Sequence, residues 1–242
     1  MDAAPAVGPV LLLATLVAVA LMFPGWHDWL VARRRGRVYA HYCVQRGFLF
    51  ERRRPGEERR HATTCARVFA EGRGQRWGFT ITGTYRASLF TAFEYTWIIG
   101  EGRSSMYHKI GGILWPVEPD LAQFMLTPKG FWSKMEEDWQ CYWSPSAQDI
   151  AFDDSPEFTR AYRLQGSDEV AVRALFTPDL RHTFALQPPQ GVAAGPQEVL
   201  WWRKGGLPSP DVLDEFLMDG NRILLLLQRP IDWGSRWTGR PS

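Results

Sequence analysis

The chain has 242 residues, 45% hydrophobic and 22% charged, enough for a globular core and too apolar for a disordered polymer. The formal charge of +2 hides an asymmetry: the first 61 residues hold ten Arg against five acids, while the remainder is slightly acidic, which argues against a nucleic-acid-binding surface on the body. Three cysteines, Cys43, Cys65 and Cys141, are odd in number and widely spaced, which excludes a disulfide framework or a C-x-x-C metal knuckle and points to buried reduced thiols.

Residues 3–26 carry no charged side chain, and 10–23 (VLLLATLVAVALMF) are almost wholly aliphatic. About 20 apolar residues at roughly 1.5 Å each cross a hydrocarbon layer of roughly 30 Å. The stretch predicts a transmembrane helix over 7–30 behind a short extracytoplasmic N-terminus, 1–6. A cleaved signal peptide competes, because Ala18-Val19-Ala20 has a small-x-small pattern, although Asp2 stands where such a segment carries Lys or Arg. A buried core helix is the third option. Arg33, Arg34, Arg35 and Arg37 follow the span, so the positive-inside rule places the body in the cytoplasm, at the inner membrane. Trp26 and Trp29 fall at headgroup level, and with the four arginines they form a candidate membrane-surface set.

Further along, 27–45 reads as a juxtamembrane helix ended by Gly47, followed by a short strand at 48–50 and a charged loop over 52–61. From Arg76 the period becomes two: Trp77, Phe79 and Ile81 alternate with Gly78, Thr80 and Thr82. Strands are expected over 85–90 and 93–99, a hairpin tip over 100–105, and a partner strand over 107–115 with a bulge or bend at Gly111-Gly112. In the second half, Thr127-Pro128, Thr177-Pro178 and Ser209-Pro210 each offer a hydroxyl cap followed by proline, so helices are expected from about 128, 178 and 210. Phe131, Met135 and Trp139 would share a face of the first. Ser167 would cap a further short helix. Strands are expected over 149–152, 158–164 and 199–203, and 188–196 reads as a Pro/Gly/Ala-rich loop. Residues 223–227 are apolar all round and suit a core helix or a contact between copies.

The segments GTYR at 83–86, FEYTW at 93–97, FTRAYRL at 158–164 and LFTP at 175–178, with Asp168, resemble a group of uncharacterised bacterial single-span membrane proteins with a cytoplasmic α+β domain. The resemblance covers the layout of nearly the whole chain and implies that layout. It implies no activity.

Catalytic chemistry has few footholds. The five histidines lack H-x-x-x-H or H-E-x-x-H spacing. Gly72-Arg73-Gly74 precedes a strand and no Gly-Lys-Ser/Thr follows it, so a phosphate loop is rejected. No Gly-x-Ser-x-Gly elbow exists. Asp153, beside Asp154 and near Glu157, lies in a turn-like context. Glu94 sits in an aromatic strand and, if turned inward, needs a cationic partner such as Arg86 or Arg103. Glu94, His108 and Asp153 are the residues from which a site could be assembled over a distance.

The sequence therefore predicts an α+β protein: one N-terminal transmembrane helix, then an antiparallel sheet with helices packed on it. The segments are 1–6, 7–30, a juxtamembrane helix 31–47, a mainly β part 48–118, an α+β part 119–229 and a tail 230–242. The expected role is a membrane-tethered binding or scaffold module without cofactor or metal. Its expected partners are the lipid bilayer and a protein or second copy, with no nucleic acid. An anchored enzyme and a sensor of anionic lipid are the alternatives.

Overall fold

The computed structural model describes residues 26–52, 73–100, 105–117, 121–130, 146–195 and 197–228. Its first helix, α1 (Trp26–Arg46), ends where Gly47 takes a φ of 70°. The Phe48 amide then bonds back to the Cys43 carbonyl at 2.8 Å, closing the helix with a left-handed cap. The chain turns directly into β1 (Leu49–Arg52), which pairs antiparallel with β2 (Arg73–Tyr85).

The period-two stretch builds a meander. β2 pairs with β3 (Ser88–Ile99), and β3 with β4 (Met106–Pro116), both antiparallel. The hairpin reverses at Arg86-Ala87, in the middle of the expected strand 85–90. Both turn residues have positive φ, 48° and 67°, the requirement of the tight hairpin turn that Asn and Gly usually meet. Of the bulge or bend expected at Gly111-Gly112, the bulge is absent: β3 and β4 pair continuously through both glycines. The register shifts lie in β2, between Arg73 and Arg76 and between Trp77 and Thr80. Gly112 is required for a different reason, since a Cβ there would lie 2.7 Å from the Phe93 ring.

The second half adds β5 (Phe124–Pro128), β6 (Gln148–Asp149), α2 (Pro156–Ala161), β7 (Tyr162–Gly166) and α3 (Glu169–Leu175). Then come α4 (Pro178–Leu186), β8 (Gln190–Ala194), β9 (Glu198–Lys204) and α5 (Pro210–Leu227). Thr177 caps α4 by accepting from the Leu180 amide, as its sequence predicts. The cap of α3 is Asp168, not Ser167, accepting from the Ala171 amide at 3.0 Å. Thr127-Pro128 caps nothing: it ends strand β5, where Pro128 pairs with Tyr162. The helix face of Phe131, Met135 and Trp139 lies outside the described residues, as do Cys65, Cys141 and Arg103. The expected loop 188–196 contains β8, a fully buried central strand.

Among the described residues the nine strands form one antiparallel sheet, in the order β1-β2-β3-β4-β9-β8-β5-β7-β6. β4 and β9 join the first-half meander to the second-half strands in one ladder, from Ile110↔Lys204 to Pro116↔Glu198. One face carries the helices and the larger core, with Ile81, Ile113, Trp201, Leu213 and Phe184 among its buried residues. The other face buries Phe93, Tyr95, Trp97, Leu200 and Trp202. Among the described residues, Trp97, Trp115, Trp201 and Trp202 are all at most 2% exposed and belong to the core.

This corrects the fold expected from sequence. The described residues form a large antiparallel sheet with a few helices laid on it, and the transmembrane helix expected ahead of an α+β body is not shown among them. Among the described residues no helix is long and apolar enough to cross a membrane. The physical reason is visible in α1, where Trp26–Leu30 continues without a break into the arginine-rich turns and one stripe of the helix packs on the sheet. Most of the predicted span, 7–25, lies outside the described residues.

Candidate functional site

The sequence candidates separate in space. Glu94 points to the helix-bearing face and is 7% exposed. Its carboxylate accepts from Arg35 Nη2 at 2.9 Å and pairs with Lys109 Nζ at 3.0 Å. Arg35 reaches it from α1 while lying over the Phe79 ring, 5.3 Å from its centroid. Burial alone would lower the Arg35 pKa, but the bonds to Glu94 and Tyr39 reverse this and raise it. Arg35, expected in the membrane-surface set, is thus a tie between α1 and the sheet. The cations are Arg35 and Lys109; Arg86 sits at the β2–β3 turn over the Tyr85 ring.

His108 lies on the opposite face, stacked on Trp97 with centroids 5.3 Å apart. Burial, with Lys204 nearby, holds its pKa below the ordinary imidazole value. Asp153 is exposed in the turn before α2, and its neighbour Asp154 takes a bidentate bond from Arg181 at 2.7 and 2.9 Å. Glu94, His108 and Asp153 therefore do not converge. Among the described residues no group of three or more His, Cys, Asp or Glu could hold a metal ion. Cys43 is free and buried, its thiol pushed up to about 11 by burial.

Arg33, Arg34 and Arg37 are exposed on the outer face of α1, beside the exposed Leu30, Val31, Val38 and Val44. Trp26 and Trp29 belong to its first turns. The inner stripe of α1 is polar at its tips. Tyr39 donates to the Leu207 carbonyl at 3.1 Å, Tyr42 donates to Asp214 at 2.6 Å, and Arg46 pairs with the same Asp214.

A cleft of about 600 Å³ opens between α4 and α5, in the volume range of small-ligand sites. Asp179, His182 and Thr183 form its α4 wall. Met218, Arg222, Leu225 and Leu226 form the α5 wall, and Arg86 closes one end from the β2–β3 turn. Asp219 also lines it and is held by Arg203 at 2.9 Å. That arginine shares the Gln190 amide oxygen with Trp201 Nε1, at 3.3 and 2.8 Å. Asn221 lies at the floor, 2% exposed, and its amide oxygen has no hydrogen-bond partner among the described residues. An unpaired buried acceptor costs about 1–3 kcal/mol, so its presence in an otherwise apolar helix face calls for an explanation.

Sequence reasoning missed this cleft. One signal was in the sequence, an Asn in the middle of a helix that disfavours it; the Arg86-Ala87 turn shows only in the folded chain.

No protein-family model matches the chain, and no curated protein does. Among solved structures, the fold is similar to the crystal structure of the mycobacterial trehalose monomycolate transport factor A, TtfA. The TM-score is 0.53 at 12% identity, covering 81% of this chain and 96% of that one, so the two share a fold.

Proposed function

We propose that the chain is a non-enzymatic binding module whose ligand enters the cleft between α4 and α5. The observation that carries this reading is the buried, unpartnered amide oxygen of Asn221 at the cleft floor. A fold tolerates such a group when something with a donor completes it. The chemistry-bearing residues elsewhere support the same reading, because Glu94 and Asp154 are each occupied by cations that brace the fold. The fold neighbour is a transport factor, and a carrying role is in keeping with reversible binding. The test is native mass spectrometry of the full chain, with Met218→Trp filling the cleft. The wild type is expected to carry a one-to-one adduct that Met218→Trp loses; an adduct indifferent to that substitution sinks the reading.

A second reading is favoured by the outer face of α1. Exposed Leu30, Val31, Val38 and Val44 interleaved with Arg34 and Arg37 suit the anionic cytoplasmic surface of a membrane. Each basic side chain there contributes about 1 kcal/mol. Flotation with phosphatidylserine vesicles, lost in high salt and in the double variant Arg34→Gln/Arg37→Gln, would support it.

A further inference from the structure

The cleft lining also specifies what kind of molecule fits. Arg86 and Arg222 both line it, and neither guanidinium forms an ion pair among the described residues. Asp219 is neutralised by Arg203, which leaves Asp179 on the α4 wall as the carboxylate of the lining without an ion pair among the described residues. Two free guanidiniums on the turn and α5 side favour an anionic group there, held through their forked donors. The Asn221 oxygen asks for a hydroxyl or amide donor. Met218 and Leu225, 43% and 52% exposed, together with Leu226, offer an apolar wall open to the cleft.

A further observation singles out Arg86. It holds a φ of 48° in a two-residue turn whose other member, Ala87, is also left-handed. Neither residue relieves that conformation as Gly or Asn would. Backbone strain of this kind is retained where the side chain has work to do, and here the side chain reaches the cleft.

We propose that the cleft binds a single-chain phospholipid with a free hydroxyl, its phosphate between Arg86 and Arg222, its hydroxyl on Asn221 and its acyl chain along Met218 and Leu225. This rests on the binding-module reading above. A free phosphorylated metabolite shares the head chemistry and lacks the chain, so the probes separate the two.

The experiment is calorimetric titration of the full chain, below micellar concentration. The four probes are lysophosphatidic acid, its analogue lacking the glycerol hydroxyl, monoacylglycerol and glycerol 3-phosphate. Lysophosphatidic acid is expected to bind at least about tenfold more tightly than each of the other three, the scale of one lost strong contact. Arg222→Gln is expected to weaken it about tenfold and leave monoacylglycerol unchanged. Asn221→Leu is expected to abolish the preference for the hydroxylated over the deoxy probe. Arg86→Gly is the control against misfolding, because it removes the strained φ and the guanidinium together. It should raise the melting temperature while lowering affinity. Equal binding of lysophosphatidic acid and monoacylglycerol, or affinities indifferent to both arginine substitutions, overturns the proposal. Tighter binding of glycerol 3-phosphate overturns the acyl chain and identifies a soluble phosphate ligand. If a neutral adduct is present and is lost on Met218→Trp, the binding module stands and the phospholipid falls; if no adduct depends on the cleft, both fall.

Discussion

Glu94 shows how one residue can be half read. Its place in an aromatic strand announces that an inward carboxylate needs a cation. The cation cannot be identified locally, because Arg35 comes from 59 positions away, off a helix whose arginines look like a single charged cluster. Only the packing of α1 sorts Arg35 inward and Arg34 and Arg37 outward. The pair is partly wet, with Arg35 and Lys109 side chains 35% and 28% exposed, so it is worth less than a dry one. Glu94→Gln should therefore lower stability by about 1–2 kcal/mol, read as a shift in the urea midpoint. The effect should shrink in the background Arg35→Ala, since the two share one contact. Additive losses would mean that Glu94 is braced by Lys109 and the surrounding backbone instead. Asn221 and Arg86 were less legible still, because an orphaned acceptor and a positive φ exist only once the chain is folded.

At the scale of elements, periodicity and caps carried most of the information. β2 to β4 follow from period-two aromatic and β-branched residues, and α4 and α5 start at their Ser/Thr-Pro signals. The same dipeptide misled at Thr127-Pro128, because a proline at the end of a strand satisfies the same local rules as a proline at the start of a helix. β8 escaped for a more specific reason. Its residues are small because the tryptophans of β9 fill the space beside it, and a Cβ on Gly191 would run into the Trp202 indole. A strand made of Gly, Val and Ala between prolines has little strand propensity of its own. Gly220 in α5 obeys the same logic. In an exposed helix, Gly→Ala gains up to about 1 kcal/mol. Here a Cβ would lie 2.7 Å from the Trp115 ring and 2.9 Å from Ile113. Overpacking of this kind costs about 1–3 kcal/mol, so the clash outweighs propensity and Gly220→Ala should lower the melting temperature. A rise would show that α5 can lift from the sheet without loss.

Taken whole, the molecule is held together by polar ties between elements that are distant in sequence, and several of them donate a proton that burial keeps in place. Tyr39 fixes α1 to the carbonyl of Leu207, Tyr42 fixes it to Asp214, and Tyr162 fixes β7 to the Phe184 carbonyl at 3.2 Å. Burial raises the pKa of all three hydroxyls above the ordinary tyrosine value of 10.0, and raises the Cys43 thiol from 9.0 to about 11. The unfolded chain therefore releases these protons at lower pH than the folded one. The stabilisation is complete below the unfolded values and is lost as pH rises through the folded ones. Urea midpoints should be flat with respect to these groups from pH 7 to about 9 and should fall between about 9 and 11. Cys43→Ser should blunt the first part of the fall, and Tyr42→Phe a later part, because a phenyl ring keeps the packing and has no proton to lose. Peptide mapping at pH 8 should find Cys43 unalkylated in the folded protein and alkylated in urea, since a buried, protonated thiol is a poor nucleophile. A midpoint unchanged up to pH 11 would mean that α1 is held by its apolar stripe alone and that the tyrosine bonds across the sheet contribute nothing.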